Sequence, residues 1–69
     1  MSAATIRLGD GSAIALDAVR ATQHTTKGVL LTLEGRIPGN VMNCAVIPLD
    51  RVRALIASLE LVAEQARAA

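Results

Sequence analysis

The run Pro48-Leu49-Asp50-Arg51-Val52-Arg53-Ala54-Leu55-Ile56-Ala57-Ser58-Leu59-Glu60-Leu61-Val62-Ala63-Glu64-Gln65-Ala66-Arg67 decides the fold, because no other stretch is long and periodic enough to read as a helix. Val52, Leu55, Ile56, Leu59, Val62, Ala63 and Ala66 recur at the spacing that a 3.6-residue period gathers into one stripe, and such a stripe must face a core. No Gly or Pro interrupts the run after Pro48, and its many alanines favour helix intrinsically. Asp50 is the expected N-cap, its carboxylate accepting from the free N–H groups of the first turn. Arg53 occupies the place where a capping box would put Glu or Gln. At about 100° per residue, Leu61 falls opposite Val52 and Leu59, with Ala54, Ala57 and Ala68 around it, so a second, narrower apolar stripe runs down the back of the helix.

Upstream of this run the chain reads as short strands. Thr5-Ile6-Arg7-Leu8 alternates, Gly9-Asp10-Gly11-Ser12 signals a turn, and Ala13-Ile14-Ala15-Leu16 alternates again, which predicts a hairpin. Placing the four large apolar residues on one face pairs Ile6 with Leu16 and Leu8 with Ile14 and requires an odd loop, Asp10-Gly11-Ser12. Asp17-Ala18 breaks the rhythm before Val19 to Gln23 resumes it. Parity then pairs Ala21 with Leu31 and Val19 with Leu33 across the five-residue loop His24 to Gly28. Val29-Leu30-Leu31-Thr32-Leu33 is apolar on both faces and reads as a central strand. Pro38-Gly39 suits the centre of a type II turn, and Val41 to Ile47 forms a last strand closed by Pro48. The predicted class is α+β: a small antiparallel sheet of four to five short strands, residues ~5–47, packed on one C-terminal helix, residues ~50–67. Ala13, Ala15, Leu30 and Thr32, with Val41, Ala45 and Ile47, are expected on the sheet face away from the helix.

Size limits what such a sheet and helix can achieve. The 69 residues read as a single domain, 1–69, without repeat or linker, and a chain this short hides only about 60% of its unfolded surface. One cysteine excludes an intrachain disulfide framework, and no aromatic residue is available to build the core. Yet 52% of the chain is hydrophobic, more than one thin sheet and one helix stripe can hide, and oligomerisation is the remaining staple. The N-terminus lacks the features of a secretory signal and no apolar run approaches a membrane span, so a cytoplasmic location is expected.

No constellation of residues carries chemistry. Gly9-Asp10-Gly11-Ser12 is followed by a strand rather than by the helix a phosphate loop needs. His24 sits in a turn with no orienting partner, and Cys44 is expected to be an inert thiol buried in an apolar strand. Asp10, Asp17 and Asp50 fit turn or cap positions, Glu60 and Glu64 a wet helix face, and no group has metal-ligand spacing. Catalytic, cofactor-binding and metal-binding residues are therefore all expected to be absent. Net charge is +1, without a basic tract, so composition gives nucleic-acid binding no support.

The expected function is that of a small non-enzymatic module that associates with itself, as a homodimer or higher oligomer, or with another protein. Leu30 on the outer sheet face and Ala54, Ala57 and Leu61 on the back of the helix are its expected interface residues. The alternative is an accessory protein that holds a nucleic acid or another anionic partner through Arg7, Arg20 and Arg36, with Arg7 and Arg20 expected on the sheet face away from the helix.

Overall fold

A computed structural model of the chain describes residues 3–37 and 40–69. Four strands, β1 (Ala4–Arg7), β2 (Ala13–Val19), β3 (Gly28–Glu34) and β4 (Val41–Pro48), form one antiparallel sheet in the order β1-β2-β3-β4. The helix α1 (Leu49–Ala68) follows directly, completing the α+β arrangement. The proposed Pro38-Gly39 turn lies outside the described residues.

The first hairpin keeps the predicted parity but not the predicted register. Ile6 pairs with Ile14 and Ala4 with Leu16, so Ile6, Ile14 and Leu16 do share a face, while the strands sit two residues away from the expected pairing. Gly11 N–H donates to the Leu8 carbonyl at 3.1 Å and Leu8 N–H to the Ser12 carbonyl at 2.8 Å, which makes the loop Gly9-Asp10-Gly11. Gly11 takes φ +95°, the positive value that a three-residue hairpin loop needs at its last position and that an L side chain resists. Asp10 sits at the loop's centre, where its carboxylate accepts from both the backbone N–H and the hydroxyl of Ser12.

The second hairpin corrects the sequence reading more deeply. β2 runs unbroken through Asp17-Ala18 and ends at Val19, which pairs with Gly28 rather than with Leu33. The intervening loop is therefore residues 20–27, and Ala21 lies in it instead of opposite Leu31. An even loop reverses the parity expected from an odd one, and Leu31 comes to share a rung with Leu16 and Leu33 with Ile14. β3 is an interior strand as expected, and a bulge at Leu33/Glu34 shifts its pairing with β4.

These pairings sort the residues onto two faces. Val29 is paired with Ile47 and Leu31 with Ala45, so Ala45 and Ile47 stand on the helix side, not on the outer face. The outer face carries Arg7, Ala13 and Glu34 along one rung, Thr5, Ala15, Thr32 and Cys44 along the next, and Leu30 with Val46 beyond. Ala13 and Ala15, each 2% exposed, are the buried hydrophobic residues among those described; their methyl groups are short and flanked on both sides by longer side chains of neighbouring strands.

Pro48 joins sheet to helix. It ends the β4 pairing opposite Gly28 and occupies the N-cap position of α1 without a side-chain cap hydrogen bond. Asp50 is thus not the cap but an acidic residue of the first turn, where it still complements the positive end of the helix dipole. α1 is about 30 Å long at 1.5 Å per residue, and its backbone contact with the sheet is concentrated on β4.

Candidate interaction surface

Between α1 and the sheet lies a cleft of about 280 Å³ lined wholly by apolar side chains. Ile6, Ile14, Leu16, Val29, Leu31 and Ile47 form its floor, and Val52, Leu55, Ile56 and Leu59 its helical wall. The floor follows from the register, which places one apolar residue after another on a single face of all four strands. The cleft stays open because the chain has no aromatic side chain to fill a helix-on-sheet gap. None of the residues of α1 is buried, and Leu59, although it lines the cleft, remains 62% exposed.

The helical wall is legible in the periodicity of the sequence, whereas the cleft is not. The only sequence signal for it is the coincidence of high hydrophobic content with no aromatic residue.

The expected interface residues are dispersed. Leu30 is half-buried on the outer face of the sheet, while Ala54 and Ala57 are exposed on α1 and Leu61 is 63% exposed on its far side. Leu30 and Leu61 therefore point from opposite sides of the molecule. The arginines do not converge either. Arg7, opposite Ala13, and Arg36, whose Cγ approaches Gly11, lie toward the first turn. Arg20 follows Val19 in the loop at the other end of β2, about 20 Å away at the rise of a strand, and is not on the outer sheet face.

Cys44 is exposed, not buried, because β4 is an edge strand and no second layer covers the outer face. His24 is exposed in the β2–β3 loop, where its backbone N–H donates to the Thr22 hydroxyl at 3.2 Å. Among the described residues no three His, Cys, Asp or Glu side chains come together as a metal site requires. No described helix is long and apolar enough to cross a membrane. The Asp10 carboxyl is held below its ordinary value of 3.8, first by the Ser12 hydroxyl and then by the Ser12 backbone N–H, both of which favour the charged form.

Comparison with protein-family models, with curated proteins and with solved structures returns no match for this chain.

Proposed function

We propose that the chain is a small non-enzymatic interaction module of the cytoplasm whose working form is a homodimer or higher homo-oligomer. The observation that carries this reading is surface. The chain exposes 5689 Å², whereas a compact monomer of its 7.2 kDa mass exposes about 4,100 Å². The excess of about 1,600 Å² is of the size one subunit buries in an obligate homodimer interface. The radius of gyration agrees, at 13.7 Å against about 11 Å for a compact domain of this length.

The cleft supports the same conclusion. Among the described residues no large side chain is buried, and a lone domain of that kind forfeits most of the dispersion and hydrophobic energy that a closed core supplies. A second copy brings apolar surface without any change of sequence. The exposed single thiol of Cys44 fits a reducing compartment.

Light scattering behind size exclusion at micromolar concentration tests the proposal. The expected mass is a whole multiple, two or more, of 7.2 kDa. A clean monomer overturns it.

A further inference from the structure

The helix outruns its own sheet. Its cleft-lining residues stop at Leu59, yet the apolar stripe continues through Val62, Ala63 and Ala66, with Val62 60% exposed. Backbone contact with the sheet is concentrated on β4, which leaves Ile6 and Leu8 of the β1 side exposed on the same face. The chain thus carries an uncovered half of a sheet face and an uncovered half of a helix stripe, each apolar.

Within the part of the helix that covers the sheet, Leu55 is half-buried and Ile56 is 50% exposed, so the Ile56 flank of α1 is the more open of the two. At about 100° per residue that flank of α1 carries Arg53, Glu60, Glu64 and Arg67. Arg53 lies in the first turns, beside the positive end of the helix dipole, and has no carboxylate within ion-pair distance among the described residues. Glu64 holds Arg67 of its own chain at 2.8 Å and retains acceptor capacity for a second cation.

Resting on the self-association reading above, we propose that two copies pair their helices antiparallel about a two-fold axis near residues 58 and 59, so that residues 60–68 of each copy lie over β1 and β2 of the other and close its cleft. The axis stands perpendicular to the sheets, which places them end to end beneath the helix pair. Charge selects this direction. Antiparallel pairing sets Arg53 against Glu64 of the second copy, twice by symmetry, whereas parallel pairing sets each of these charges against its like. The occupant of an all-apolar cleft must itself be apolar, and the second copy's Val62, Ala63 and Ala66 meet that requirement.

Arg53→Glu and Glu64→Arg, studied singly and as an equimolar mixture of the full chains, test the arrangement. Each single variant is expected to weaken the dimer on the order of tenfold or more, since two attractions become two repulsions. The mixture should recover wild-type affinity, because in the heterodimer both pairs are again opposite in sign. Leu61→Glu, on the far side of α1, should leave the mass unchanged. A wild-type dimer with no recovery in the mixture, dissociation by Leu61→Glu, or native mass spectrometry showing a small apolar molecule in the cleft overturns this arrangement and leaves self-association standing. A monomeric wild type overturns both.

Discussion

Gly28 and Pro48 face each other across the last rung between β3 and β4, and a Cβ built on Gly28 would overlap the carbonyl oxygen of Ile47 beside it. The close approach lies where the sheet hands the chain to α1, so the angle at which the helix leaves depends on residue 28 having no side chain. Gly28 has no positive φ among those found, so alanine there meets a steric obstacle alone. Gly28→Ala should cost about 1–3 kcal/mol, because backbone rather than a side-chain tip must yield. Thermal unfolding followed by circular dichroism reads this as a fall of roughly 4–8 °C per kcal/mol.

Gly9 and Gly11 bracket Asp10 in the first turn and should respond to alanine with opposite signs. Gly11 has φ +95°, and a Cβ there would lie 3.4 Å from the Arg36 Cγ, so Gly11→Ala should destabilise by about 1–2 kcal/mol. Nothing lies within 4 Å of a Cβ on Gly9. Gly9→Ala should therefore stabilise by about 0.4–1 kcal/mol through the lower entropy of the unfolded chain. Parallel urea titrations of the two variants check the pair.

The Asp10–Ser12 contact predicts a local pH response. Hydrogen bonds from Ser12 favour the carboxylate, so the folded-state titration midpoint lies below 3.8. A group with a depressed folded midpoint stabilises the fold above its unfolded value, and that contribution disappears as pH falls through the folded midpoint. Ser12→Ala should raise the Asp10 midpoint toward 3.8 in a carbon-detected NMR titration and leave the pH dependence near neutrality unchanged. An Asp10 midpoint that does not move with Ser12→Ala would refute the assignment.

The elements were legible because each carries its own period: alternation in Ile6, Ile14, Leu16 and Leu31, and the 3.6-residue recurrence from Val52 to Ala66. The α+β class, the interior place of β3 and the apolar helix stripe follow from those patterns. The β2–β3 register does not, because Val19 to Gln23 alternates like a strand although the ladder ends at Val19, where Gly28 accommodates the crowded junction with Pro48. The exposure of Cys44 was equally hidden, since an apolar neighbourhood along a strand says nothing of whether a second layer covers it. The cleft escaped for a related reason. Periodicity tells which side of α1 is apolar, but how far the sheet reaches beneath that side depends on strand lengths and on the angle set at Gly28 and Pro48.

The exposed stripe of α1 supplies the last prediction, which separates association from folding within one chain. If the core is completed by a second copy, stability includes a mass-action term, and the midpoint of thermal unfolding must rise with protein concentration. Differential scanning calorimetry from about 5 to 500 μM should show an increase of several degrees, whereas a self-sufficient monomer shows none. Leu59→Glu puts a charge in the all-apolar cleft at the centre of the proposed helix pair, where desolvation costs several kcal/mol, and should abolish both the dimer and the concentration dependence. Leu61→Glu puts the same charge about 160° away around the helix, on the outer surface, and should preserve both. The contrast turns on direction alone, since the two leucines are exposed to almost the same extent, 62% and 63%, two positions apart on one helix.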